Sequence, residues 1–171
     1  CRSMRNYGKE DDSRSFPRLG FSYRLNELSA ALGVSQMQRI HDILGRRNRI
    51  AALYTERLNK IGGVIAPVVP PEIKMSWFVY VVQLNPGRFS REDRDEVITR
   101  LAEKGINCRD RFPPIHLEPL FTEMFGYKKG DFPVTEKVSG STIALPFHNN
   151  LTEEEVDYVC SSLAEVLGKL K

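Results

Sequence analysis

The chain has 171 residues, with 25 Lys and Arg against 22 Asp and Glu, a formal net charge of +3 and a pI near 8.8. That length suits one domain with a real core, and so small a basic excess does not argue for nucleic acid on its own. No apolar run approaches the ~20 residues of a membrane helix, no signal peptide is visible, and three cysteines without a CxxC spacing point to a reducing compartment, the cytoplasm, rather than a disulfide framework.

Residues 1–19 are polar, and Lys9-Glu10-Asp11-Asp12-Ser13-Arg14 reads as a mobile loop. The first residue is Cys rather than Met, which suggests a piece of a longer protein. From Asn26, a plausible N-cap, apolar positions recur at Leu28, Ala31, Leu32, Met37, Ile40 and Leu44, then at Ile50, Tyr54, Leu58 and Ile61. The spacing predicts one helix of about nine turns with a kink near Gly33.

A second reading of the same stretch competes. Leu28-Ser29-Ala30-Ala31-Leu32-Gly33-Val34-Ser35-Gln36 has the outline of a helix-turn-helix, with Gly33 in the turn. Its second helix would carry Gln36, Gln38 and Arg39 toward base edges, as in a DNA-binding transcription regulator. Against it, the helical period continues past the recognition helix, and no basic stripe accompanies it.

After Gly62-Gly63, prolines 67, 70 and 71 make a stiff connector. Ser76 to Leu84 is dense in aromatic and β-branched residues and reads as a central strand buried on both faces. Ser90-Arg91-Glu92-Asp93 opens a helix with a capping box, and Gly105 ends it. Ile106 to Arg109 reads as a short second strand. Pro113-Pro114 and Pro119 break up residues 110–132, where Leu120, Phe121, Met124 and Phe125 suggest a short helix. A helix is expected over about Pro133 to Ser141 and a third strand over Ile143 to Phe147. Thr152-Glu153-Glu154-Glu155 caps a last helix that buries Val156, Val159, Leu163, Val166 and Leu167. The fold class is α+β: a long N-terminal helix, then a small antiparallel or mixed sheet with helices packed on one side. The expected organisation is a loop over 1–19, a long interdomain helical segment over 20–61 and an α+β small domain over 62–171.

Several stretches resemble one family. Gly20-Phe21-Ser22-Tyr23-Arg24-Leu25-Asn26-Glu27-Leu28-Ser29-Ala30-Ala31-Leu32-Gly33 is similar to the Gly-Tyr-Asn-Tyr-Arg-Met signature of the DegT/StrS aminotransferases and the Ala-Ala-Leu-Gly that follows it. Arg5-Asn6-Tyr7-Gly8 resembles their Arg-Asn-His-Gly segment, and Arg46-Arg47-Asn48-Arg49-Ile50-Ala51 their Arg-Arg-x-x-Ile-Ala run. Phe112 to Pro119 resembles their Tyr-x-Pro-(Leu/Ile)-His-Leu-Gln-Pro, and Leu145-Pro146 with Leu151-Thr152 their Leu-Pro and Leu-Thr ending. Five matches in order cover nearly the whole chain.

The resemblance implies the small C-terminal domain of an aspartate aminotransferase fold. It implies a parent that uses pyridoxal 5'-phosphate to move an amino group, usually from glutamate, to a keto sugar nucleotide for polysaccharide or glycoside synthesis. It also implies a homodimer with no membrane or nucleic-acid partner. Some relatives are dehydratases in which the cofactor lysine is replaced, so both reactions stay open. In the family the lysine and the carboxylate at the pyridine nitrogen lie upstream of the part matched here. No lysine of this chain falls in a matching motif, so no catalytic residue is assigned and the chain alone is expected to bind no cofactor.

What the matching positions supply is the rim of a site. Ser22 stands where the family has an asparagine that reaches the cofactor phosphate of the neighbouring subunit; a hydroxyl also donates but is shorter. Arg24 matches an arginine facing the substrate diphosphate, which a guanidinium fork suits; the alternative is a helix-entry salt bridge. His116 matches a histidine near the substrate, or is a hydrogen-bonded loop histidine. Arg109 is a candidate for the amino donor's carboxylate, or an exposed charge. His41 and His148 have no partner at metal-ligand spacing, so no metal site is expected.

Overall fold

The computed structural model describes residues 1–10 and 15–170. Residues 11–14 of the expected mobile loop lie outside the described residues. The chain divides into two compact units, Cys1–His41 and the part from Asp42 onward.

In the first unit two short stretches cross antiparallel, with a bridge between Asn6 and Ser22. Tyr7 N–H donates to the Phe21 carbonyl at 2.9 Å, and Tyr23 N–H to that of Arg5 at 3.0 Å. Two glycines let the backbones approach. Gly8 has φ +76°, and a Cβ there would fall 1.8 Å from the Arg18 carbonyl oxygen; one on Gly20 would fall 1.9 Å from the Gly8 nitrogen. Helix α1, Glu27–Gln38, starts where the Asn26 side chain accepts from Ser29 N–H at 2.9 Å. It buries none of its residues; Leu28, Leu32, Val34 and Met37 are all exposed.

Arg39 then leaves the helix with φ −112° and ψ 14°, its N–H turned to the Gln36 and Met37 carbonyls. Helix α2, Ile40–Leu58, follows at once. The long helical stretch is thus two segments interrupted at Arg39, not one helix kinked at Gly33. Since α1 runs unbroken through Gly33, the turn that a helix-turn-helix needs there is absent, and that alternative is overturned.

The second unit is built on a three-stranded antiparallel sheet, β1 (Val64–Ile65), β2 (Tyr80–Leu84) and β3 (Thr142–Leu145), in the order β1-β2-β3. Tyr80 pairs with Leu145 and Val82 with Ile143, and directly opposed residues share a face. These four form one core with Ile50, Tyr54 and Leu58 of α2, with Val97 and Leu101 of α3 (Arg91–Glu103), and with Val156, Val159 and Leu163 of α6 (Glu153–Gly168). The Tyr54 ring stacks on Tyr80 with centroids 5.0 Å apart, and its hydroxyl donates to the Pro146 carbonyl at 2.8 Å. Arg57 joins α2 to α6 through Glu153 and Asp157. The capping boxes at Ser90 and Thr152 are both formed.

Three strand expectations change. Val81 and Gln83 are only half-buried, so β2 is fully covered on one face, not two. The segment Ile106 to Arg109 contributes a single bridge, Arg109 to Ala144, rather than a strand. The two-residue edge strand β1 falls in the connector, where none was expected. Between α3 and β3 lie a 3-10 turn at Ile115–Leu117 and two short helices, α4 (Pro119–Phe125) and α5 (Pro133–Ser139).

Candidate functional site

The bridge in the first unit brings Ser22 and Arg24 together. Arg24 Nη2 donates to the Ser22 hydroxyl at 3.3 Å and to the Tyr7 hydroxyl at 3.0 Å, and the guanidinium lies 5.2 Å from the centre of the Tyr7 ring. Tyr7 adopts φ +59°, next to the left-handed Gly8. A hydrogen bond with Ser22 and then the Arg24 charge lower the Tyr7 phenol from its ordinary value. A guanidinium and two hydroxyls in one cluster are the donors that a phosphate group takes. Arg24 makes no ion pair among the described residues, so the salt bridge weighed against its phosphate role does not form there.

His116 and Arg109 occupy separate hollows of the second unit. His116, in the 3-10 turn, is 8% exposed, with Nε2 3.1 Å from Glu136 Oε1 and its ring tilted against Phe132 at 4.7 Å. The same carboxylate oxygen accepts from Gly130 N–H at 2.8 Å. That backbone bond, with a smaller contribution from His116, holds the Glu136 carboxyl below its usual range. An ionised carboxylate only accepts, so Nε2 carries a hydrogen and donates it to Glu136. His116 borders a largely apolar cavity of about 630 Å³ with Phe112, Ile115, Phe132 and Val138.

Arg109 exchanges backbone hydrogen bonds with Ala144 at 2.8 and 3.2 Å and borders a hollow of about 210 Å³ with Phe78 and Asn107. Arg111 lines both hollows, its guanidinium 4.7 Å from the Phe112 ring centre and 5.8 Å from that of Phe78. Sequence reasoning gave no role to Tyr7, Arg111 or Glu136. Tyr7 stood in a matched motif and Arg111 two positions after the candidate Arg109; Glu136 carried no local signal. Among the described residues no group of three His, Cys, Asp or Glu side chains could hold a metal ion.

The second unit, with helices against one face of a short antiparallel sheet, has the fold of the smaller part of an aminotransferase. Residues 1–164 match the DegT/DnrJ/EryC1/StrS aminotransferase family, and the chain belongs to it. It is 32% identical over 168 residues to GDP-perosamine synthase of Caulobacter vibrioides, covering 97% of this chain and 44% of that protein. It is 31% identical over 149 residues to the spore coat polysaccharide biosynthesis protein SpsC of Bacillus subtilis, covering 86% of this chain and 38% of that one. The crystal structure of DesV from S. venezuelae superposes with a TM-score of 0.86 at 26% identity, over 99% of this chain and 44% of DesV. The chain therefore spans about two fifths of the length of the relatives it matches.

Proposed function

We propose that this chain is the substrate-binding and small-domain portion of a pyridoxal-phosphate-dependent sugar aminotransferase, whose parent acts as a homodimer to transfer an amino group from glutamate to a keto sugar nucleotide. The observation that supports this reading is the Tyr7, Ser22 and Arg24 cluster, a guanidinium and two hydroxyls within stretches that resemble family motifs. Names of relatives agree on the reaction class: GDP-perosamine synthase, and a dTDP-4-dehydro-2,3,6-trideoxy-D-glucose 4-aminotransferase of Saccharopolyspora spinosa.

The donor set of the cluster fits the phosphate of the cofactor or that of the substrate, and it contains no lysine that could hold a cofactor covalently. Pyridoxal phosphate, when bound, supplies an electron sink for the amino-group exchange. The residues of this chain bind and orient. The Ser22 hydroxyl donates to the cofactor phosphate of a neighbouring subunit, Arg24 engages the sugar-nucleotide diphosphate, and Arg109 takes the carboxylate of the amino donor. His116, held by Glu136, lies near the substrate and helps orient it. The test is transfer of label from ¹⁵N-glutamate to a keto sugar nucleotide by the parent. A labelled amino sugar nucleotide is expected; loss of water from the sugar without label would make the parent a dehydratase.

A further inference from the structure

The cavity beside His116 has one wall that the rest of the second unit barely holds. Residues 126–131 cross from α4 to α5 as an exposed strap. Neither helix buries a residue, so the strap hangs from elements with little share in the core. Its two glycines are left-handed, Gly126 at φ +70° and Gly130 at φ +99°, and nothing lies within 4 Å of a Cβ built on either. They serve the backbone path rather than a close approach, as hinge positions do.

Between the glycines the strap keeps its own shape. Lys128 N–H donates to Asp131 Oδ2 at 3.0 Å, and Asp131 N–H to the Lys128 carbonyl at 3.2 Å. Among the described residues one hydrogen bond ties residues 127–131 to the rest of the unit, from Gly130 N–H to Glu136 Oε1 at 2.8 Å. The same oxygen accepts from His116 Nε2. The contacts then close on themselves. The His116 ring lies against Phe132 at 4.7 Å, and Phe132 meets the Tyr127 ring edge-on at 5.5 Å. Tyr127, Phe132 and His116 all line the cavity. One carboxylate oxygen therefore stands between a cavity-lining histidine and a strap that carries a cavity-lining tyrosine.

We propose that Glu136 is the latch of a swinging cavity wall: it holds the strap of residues 126–131 in register with His116, and its release lets the strap turn about its glycines and carry Tyr127 out of the cavity. Because both partners share Oε1, a change at the His116 ring reaches the strap, and opening of the strap reaches the ring. This coupling goes beyond the proposed function and holds for any occupant of the cavity.

The experiment follows backbone amide exchange and ring-to-ring nuclear Overhauser contacts in the 171-residue chain by NMR. In Glu136→Ala, protection at Gly130 should fall about tenfold or more, since a hydrogen bond to a charged group is lost. The contact between the Tyr127 and Phe132 rings should disappear with it. Glu136→Gln keeps an oxygen acceptor without the charge, so it should lose less protection. His116→Ala removes the other partner of the oxygen and leaves the carboxylate free to turn; it too should lower protection at Gly130, by less than Glu136→Ala. Amides of α6 should exchange as in the wild type in every variant, which shows that the fold stands. Wild-type protection at Gly130 in Glu136→Ala or in His116→Ala overturns the proposal. So does a Tyr127–Phe132 contact that survives in Glu136→Ala, or protection lost equally in α6, which would make Glu136 a prop of the whole fold.

Discussion

Arg24 reaches both of its hydroxyl partners through one nitrogen, so its removal leaves Tyr7 and Ser22 exposed rather than buried and unsatisfied. The fold should therefore survive Arg24→Ala, and the effect should fall on ligand. In the parent, the sugar-nucleotide KM should rise about tenfold or more, the equivalent of ~1.5–3 kcal/mol for a charge-assisted contact. Ser22→Asn should leave cofactor affinity equal or better, because the longer amide also donates. A folding defect with untouched kinetics would make Arg24 structural. The thiols give a second residue-scale test. Burial pushes Cys108 up to about 12 and Cys160 up to about 11, while Cys1 is exposed. One thiol per chain should react with a disulfide reagent at about pH 8 in the native protein, and all three after unfolding. Ser22, Arg24, Arg109 and His116 were legible as candidates because each stood in a motif or after an expected strand. Their partners were not. Tyr7 meets Arg24 across 17 positions through the Gly8–Gly20 approach, and His116 meets Glu136 across 20.

Local devices read well at the scale of elements. The capping boxes at Ser90 and Thr152 need only four consecutive residues, and both helices begin where those residues stand. The break at Arg39 did not read, because the apolar spacing continues across it and no proline or glycine marks it. The edge strand β1 is two residues long, too short for an alternation to register. Gly33 lies exposed inside α1 with nothing within 4 Å of a built Cβ. Gly33→Ala should therefore stabilise α1 by about 0.5–1 kcal/mol, seen as slower amide exchange in that helix; faster exchange would show that the glycine serves a turn. In the second unit Glu165 of α6 accepts from Lys104, just past α3, at 2.8 Å and from Lys169 at 2.6 Å. These bonds lower its carboxyl from the usual 4.5 to about 2. A lowered carboxyl contributes stability above its unfolded value and loses it as pH falls toward the folded one. Glu165→Gln should therefore be less stable than wild type at pH 7, with the gap closing between about pH 4.5 and about 2 in urea titrations. Salt should narrow the gap, since the side chain is nearly half exposed.

For the whole molecule, the groups assigned above divide the work. This chain holds the Tyr7, Ser22 and Arg24 cluster and a histidine bonded to Glu136, while its matched motifs contain no lysine to bind a cofactor covalently. Binding without that lysine can orient a substrate but cannot exchange its amino group. The most direct measurement follows ¹⁵N from glutamate into a keto sugar nucleotide, side by side, for the isolated chain and for the chain joined to the sequence encoded upstream of it. The expected result is no labelled product from the isolated chain and sustained turnover from the joined polypeptide. Turnover by the isolated chain, or a joined polypeptide that takes up pyridoxal phosphate yet transfers no label, contradicts the proposed function.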